Sequence, residues 1–337
     1  MTPLKEEPNV AQTKRLHNLE LLRIIAMLMV LFIHYNLPVR GIPSPETLQA
    51  DPSGTMLTIV LQSVLIVCVN CFILISGWFG IRWKRRSFLN LCFQVFFWAV
   101  ICYPILLLLP HSSADSVSLY LQGLLGKWFV WAYFGLYLFA PVFNDFIEKS
   151  DVRRLSYFVL AFYLFSTLFG YLSKAVADFN EGMSVLSLIG LYLLGAWLRK
   201  VETSLPKRPL IWLSGYLGCV IVLTLLSVLL FYLGIASMPQ GYLNPIVIVE
   251  SVCLFMFFQR LQINAPIILF FSSSAYAVYL IHVFPGDCYA TMLQRIVNSD
   301  FPGWVEAGAI IVCILLVFVV AVLIDKVRIS MFRRLMP

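Results

Sequence analysis

The sequence predicts an all-α polytopic membrane bundle of about ten transmembrane helices, with both termini cytoplasmic. Three observations predict it. The chain is 61% hydrophobic and 12% charged, far from the roughly half-apolar, quarter-charged balance of soluble domains. Apolar runs of about 20 residues, each long enough to cross the hydrocarbon core as a helix, recur along its whole length. None shows the two-residue alternation of a barrel strand, and in lipid, where backbone groups must pair internally, helices are then the remaining solution.

Taken in order, the apolar runs fall at 20–38, 56–80, 88–109, 128–147, 155–173, 184–199, 210–234, 244–259, 266–285 and 304–324. The first is not followed by a small-residue cleavage site, so it reads as a retained helix rather than a signal peptide. The Pro- and Gly-containing stretch PVRGIPSPETLQADPSG separates it from the second run, which ends at the basic RWKRR. Lys149, Arg153 and Arg154 divide the fourth run from the fifth, KVETSLPKRP the sixth from the seventh, Arg260 the eighth from the ninth, and NSDFPGW the ninth from the tenth. These are turn and interface compositions.

With the N-terminus inside, 19 of the 24 basic residues fall on inner segments. Arg40, Lys127, Lys174 and Arg295 fall outside, and Arg23 lies within the first run. This asymmetry is the positive-inside signal. The chain 1–337 reads as a single transmembrane domain, with a short cytoplasmic N-terminal segment 1–18 and a C-terminal cytoplasmic tail 325–337. The formal charge of +7 would suggest nucleic acid in a soluble protein, but here it is a matter of topology and no nucleic-acid partner is expected. No internal repeat is evident. The GxSxG, Walker and HExxH motifs are absent, so the common hydrolase, ATPase and metalloprotease signatures are missing. Of eight cysteines, only Cys68 and Cys71 have CxxC spacing; a lone pair at membrane depth implies neither a zinc site nor a disulfide framework, and no metal is expected.

The first run, NLELLRIIAMLMVLFIHYN, carries Arg23 and His34 eleven positions apart. At about 100° per residue this is close to three turns, so both side chains share one helical face roughly 16 Å apart along the axis. Arg23 lies toward the cytoplasm and His34 deeper, toward the outer half. Snorkelling of Arg23 and an inter-helix hydrogen bond for His34 are the structural readings. Ionisable groups in a membrane helix are functional candidates by default, and two on one face address one cavity at two depths.

Arg82, Lys84, Arg85 and Arg86 follow the second run directly. Such a cluster serves either as a topology signal or as a holder of phosphates, which guanidinium forks suit; both readings use the same residues. Glu250 stands near the middle of its run, where an isolated carboxylate is costly and a basic partner is expected. It either orients or charge-balances His34, or pairs with another helix. Asn70, Gln94 and His282 are further polar groups at membrane depth, His282 hydrogen-bonding a neighbour near the outer end of its helix. Trp128, Trp131, Tyr133 and Tyr137 read as an interfacial aromatic belt rather than a sugar-stacking site. His17 and His111 lie in polar flanks and take no role.

Four segments together resemble the acyltransferase-3 family of bacterial integral-membrane O-acyltransferases. They are the first run with ten residues between its Arg and His, NCFILISGWF with the following Arg82-Trp83-Lys84-Arg85, the tryptophan-rich KWFVWAYFGLYLFAPVFN, and SSSAYAVYLIH. The departures are ISGWF in place of the commoner LSGF type, and the lack of the hydrolase-like domain fused to some members. The resemblance implies transfer of an acyl group, usually acetyl from cytoplasmic acetyl-CoA, to a hydroxyl of a sugar in a cell-surface polysaccharide or its lipid-linked precursor. It implies a multi-pass protein of the cell (inner, cytoplasmic) membrane, with His34 catalytic and Arg23, Arg82 and Arg85 as cofactor contacts. His34 would serve as a general base toward the hydroxyl or be acylated first and relay the group. The competing class is a membrane transporter or flippase using Arg23, His34 and Glu250 as a substrate or proton path. Within the enzyme class, succinyl or another acyl donor, and lipid-linked, teichoic or amine acceptors, stay open.

Overall fold

A computed structural model describes residues 16–107 and 117–336, all-helical, with no strand among the described residues. Lys5, Lys14, Arg15 and His111 lie outside them. The helices are α1 (His17–Arg40), α2 (Pro45–Ala50), α3 (Pro52–Leu65), α4 (Cys68–Phe79), α5 (Arg85–Leu107), α6 (Val117–Leu125), α7 (Trp128–Lys149), α8 (Val152–Phe165), α9 (Val185–Val201), α10 (Pro209–Tyr232), α11 (Pro245–Arg260), α12 (Ile267–Ser272), α13 (Ala275–Val283), α14 (Cys288–Val297) and α15 (Gly303–Leu335).

Among the described residues, seven stretches are long and apolar enough to cross a membrane: His17–Arg40, Pro52–Phe79, Arg85–Pro104, Trp128–Lys149, Val152–Leu172, Pro209–Tyr232 and Gly303–Leu335. An eighth arises if Ile267–Val283 and Cys288–Val297, bent by 76°, count as one span. α9 and α11, at 17 and 16 residues, are shorter and heavily buried. Each apolar run read from the sequence is helical over most of its described residues, the second as α3 and α4 and the ninth as α12 and α13, while the stretches long and apolar enough to cross number seven or eight among the described residues.

α1 is the centre of the bundle and packs against α3, α4, α11, α12, α13, α14 and α15. Leu19, Leu22, Ala26 and Leu31 have no exposed surface. Pro38 and Gly41 bring the helix to its end, because proline removes a backbone donor and the Gly41 φ of +94° suits a residue without Cβ. The peripheral helices are apolar on the outside instead: Leu217, Ile221, Leu225 and Leu229 line one exposed face of α10 at a spacing of four, a surface that lipid covers. Close helix contact in the interior is made by small residues. A Cβ at Gly77 of α4 would lie 2.1 Å from the Tyr192 carbonyl oxygen of α9, and one at Gly195 2.4 Å from that of Leu74.

The last helix departs from the sequence reading. Charges suggest an end at 324 and a tail over 325–337, yet α15 continues to Leu335. Asp325 and Arg328 are accommodated in the helix because they pair with each other within the bundle. Arg328 Nε donates to Asp325 Oδ1 at 2.5 Å, three residues back along the helix, and its Nη1 donates to Asn90 Oδ1 of α5 at 2.8 Å. Gln94 Nε2 and Trp98 Nε1 add longer contacts to Asp325 Oδ1, 3.3 and 3.5 Å. Arg328 is only 2% exposed, so one of the residues counted as a topology signal is a buried tie between α5 and α15.

Candidate active site

α1 turns one stripe of side chains into open space. Arg23, Met27, Val30 and His34 follow one another at intervals of four, three and four residues, the spacing that keeps one face of an α-helix. Two cavities lie against this stripe. One, about 340 Å³, is lined by Met27, Val30 and His34, by Gln62, Phe72, Trp128, Phe129 and Tyr279, and by Glu181, Gln240 and Tyr242 from connecting segments. The other, about 260 Å³, is lined by Arg23 and Met27, by Ser76, Gln94 and Tyr133, and by Ser272, Ser273 and Tyr276. Met27, Phe72 and Phe129 line both. The cavities therefore meet end to end with these three side chains between them, Arg23 on one side and His34 on the other.

His34 is oriented by its own helix. Its Nδ1 lies 2.8 Å from the Val30 carbonyl oxygen. A carbonyl only accepts, so Nδ1 carries a hydrogen, and the neutral ring keeps its lone pair on Nε2. His282 of α13 repeats the arrangement, with Nδ1 2.9 Å from the Val278 oxygen. Its ring meets His34 edge to face, centroids 4.8 Å apart and planes at 72°. The ring of His282 also lies 5.5 Å from those of Tyr279 and Tyr289, and the Tyr289 hydroxyl donates to the Leu31 oxygen at 2.9 Å, fastening α14 to α1.

Arg23 does not snorkel. Its Nη1 bonds both oxygens of Glu20, at 3.0 and 2.9 Å, and Glu20 is 3% exposed. A buried carboxylate three residues earlier fixes the guanidinium while Nε and Nη2 stay available to the cavity Arg23 lines. The i,i+3 spacing of Glu20 and Arg23 is the signal in the sequence that points to this pair. Gln94, a polar group at membrane depth, lines the Arg23 cavity and donates to Asp325.

Arg82, Lys84, Arg85 and Arg86 are exposed and line neither cavity. Arg86 Nη2 donates to the Met336 carbonyl at 2.6 Å. The cluster nevertheless sits where α5 begins, and Leu91 and Gln94 of the same helix line the Arg23 cavity, about 9–14 Å further along the axis. Glu250 is not brought to the site. It lines neither cavity, and both its oxygens are buried without a hydrogen-bond partner among the described residues. His34 Nδ1 is already taken by Val30, so Glu250 does not orient it. The belt reading of the aromatic residues also needs correction. Trp131 is 43% exposed, whereas Trp128 and Tyr133 line the His34 and Arg23 cavities respectively. Rotation of α7 about its axis decides which rings turn inward.

A family model described as an acyltransferase domain, that of the acyltransferase-3 family, matches residues 16–326. No curated protein and no solved structure matches the chain.

Proposed function

The chain belongs to the acyltransferase-3 family, and on that premise we propose that this membrane acyltransferase moves acetyl from cytoplasmic acetyl-CoA to a hydroxyl of a sugar in a cell-surface polysaccharide or its lipid-linked precursor. The observation that carries this reading is the pair of cavities meeting at Met27, Phe72 and Phe129, with a cation in one and a neutral base in the other. A donor and an acceptor approaching from opposite ends would bring the thioester and the hydroxyl together at that junction. The orientation drawn from the charges puts the Arg23 cavity nearer the cytoplasm.

Each residue then has a defined task. The basic side chains at the start of α5 attract the nucleotide phosphates, aided by the N-terminal end of the helix. Arg23, Ser76, Gln94 and Ser272 offer polar contacts to the amides of the pantetheine arm. His34 Nε2 accepts the proton of the acceptor hydroxyl as its oxygen attacks the thioester carbonyl, and later returns a proton to the leaving sulfur. Trp128, Phe129, Tyr242 and Tyr279 supply flat apolar faces for a sugar ring. Restricting water at the junction favours transfer over hydrolysis.

The test is incubation of the protein in nanodiscs with radiolabelled acetyl-CoA and a membrane glycan extract, following thioester loss and labelled glycan. Two subsidiary outcomes are expected. Arg82→Ala combined with Arg85→Ala raises the KM for acetyl-CoA about tenfold or more with kcat little changed, read by steady-state kinetics; an unaltered KM would return the cluster to topology alone. Glu250→Gln keeps transfer within a few-fold of wild type, since it neutralises a buried carboxylate that lines neither cavity. A hundredfold loss in a folded Glu250→Gln protein would bring that residue back into the mechanism.

A further inference from the structure

Gln62 of α3 lines the His34 cavity although only 4% of its surface is exposed. Its hydrogen bonds fix which way the amide faces. The Thr58 carbonyl can only accept, so the end of the Asn36 side chain 2.9 Å from it is Nδ2. The same Nδ2 lies 3.3 Å from the Gln62 amide, so the end of Gln62 that meets α1 is its oxygen, Oε1. One turn beyond, Arg40 donates through Nε to Thr58 Oγ1 at 3.0 Å and through Nη2 to the Gly54 carbonyl at 3.1 Å. With α1 and α3 tied at both levels, Gln62 Nε2 is the free end of a held amide. It has two N–H groups, has no hydrogen-bond partner among the described residues, and is not sealed from open space.

Gln240, the other amide of this cavity, is committed elsewhere. Its Nε2 donates to Ser63 Oγ and Ser227 Oγ at 2.9 and 2.8 Å, and those hydroxyls donate onward to the Ile59 and Leu223 carbonyls. The Glu181 carboxylate is engaged by Lys174. Gln62 instead keeps both N–H groups unspent in a buried place, which is costly for a fold and invites a functional explanation. It lines the His34 cavity and not the Arg23 cavity. Its bond to Asn36, two residues beyond His34 and further from Arg23, sets it on the acceptor side.

An amide N–H seeks an oxygen that accepts, such as a hydroxyl or ring oxygen of a sugar. The oxygen that attacks the thioester is not its partner, because a hydrogen bond donated there would occupy the lone pair that forms the new bond. We propose that Gln62 is a specificity-determining residue, donating from Nε2 to a second oxygen of the acceptor sugar, other than the one acylated. This deepens the acyl-transfer reading above and rests on it. A sugar held at one hydroxyl by His34 and at another oxygen by Gln62 presents a single hydroxyl to the thioester. A simple alcohol, with no second oxygen, leaves Nε2 unpaired and is disfavoured on that account.

Two substitutions test this role. Methionine is close to glutamine in length and donates no hydrogen bond; histidine restores an N–H at similar reach. Wild type, Gln62→Met and Gln62→His would be assayed in nanodiscs with labelled acetyl-CoA and a membrane glycan extract, varying each in turn, with thermal melting as the check on folding. Gln62→Met is expected to raise the KM for glycan about tenfold, the factor that one neutral hydrogen bond supports. The kcat and the KM for acetyl-CoA should stay within about twofold of wild type, as expected for a lost contact to the acceptor alone. Gln62→His should recover the glycan KM to within about threefold. Should Gln62→Met not fold, Gln62→Leu, which also donates nothing, is read in its place. An unchanged glycan KM in the folded non-donor variant, a parallel rise in the KM for acetyl-CoA, or a Gln62→His protein no better than it would overturn the proposal. A wild-type protein that consumes no acetyl-CoA would overturn the acyl-transfer reading beneath it, which is a separate result.

Discussion

Replacing His34 by alanine is expected to lower acyl transfer about 10³-fold or more, with the protein folded and still able to bind CoA. A positioned general base contributes about 10²–10⁴ in rate, and the cavity holds little to replace it. Among its lining residues only His34 and Glu181 offer a base at neutral pH, and Glu181 is engaged by Lys174 at 2.7 Å. His34→Gln should be almost as inactive, because it can accept a hydrogen bond but cannot carry the proton to sulfur. Steady-state transfer of label, together with equilibrium CoA binding, checks both variants. Loss of CoA binding alongside activity would place His34 in donor recognition instead.

The second large effect is on stability. Arg328→Ala should destabilise the protein by about 3–5 kcal/mol, the usual consequence of removing one partner of a buried ion pair. Asp325 has no exposed surface. Without Arg328, its carboxylate would keep only the Gln94 and Trp98 contacts at 3.3 and 3.5 Å. Asn90 would lose its donor as well. Changing both members, Asp325→Leu with Arg328→Met, should recover most of the loss, since an apolar pair of similar volume is often neutral in such a position. Thermal melting in detergent distinguishes these cases. An unchanged melting temperature in Arg328→Ala would mean that the pair is not buried as described. Gln94 is bonded to Asp325 and lines the Arg23 cavity, so the single variant should also weaken acetyl-CoA binding where folded protein can be recovered.

What the sequence revealed and what it concealed divide along a physical line. Apolar runs are properties of single segments, and each is helical in the structure, although the second and the ninth are each broken into two helices. The shared face of Arg23 and His34 follows from the geometry of one helix, and both side chains do line cavities on that face. Relations between helices were not legible. Nothing in SSSAYAVYLIH states that His282 will meet His34 edge to face, because that depends on α13 and α14 folding back on α1. Glu250 looked like a partner for His34 by charge alone, yet the rotation of α11 keeps it away from both cavities. Arg328 counted as a cytoplasmic charge because Asp325 and Asn90 could not be seen to receive it. Trp128 and Trp131 are three residues apart in the same helix, and only packing shows that the first lines a cavity while the second is exposed.

The measurement that bears most directly on the acyl-transfer reading is the fate of labelled acetyl-CoA with purified protein in nanodiscs, glycan present, beside His34→Ala. Release of CoA with label fixed as an alkali-labile ester on glycan, dependent on His34, is the expected result. Movement of an intact substrate across the bilayer with no thioester consumed, equally fast in wild type and His34→Ala, would contradict it.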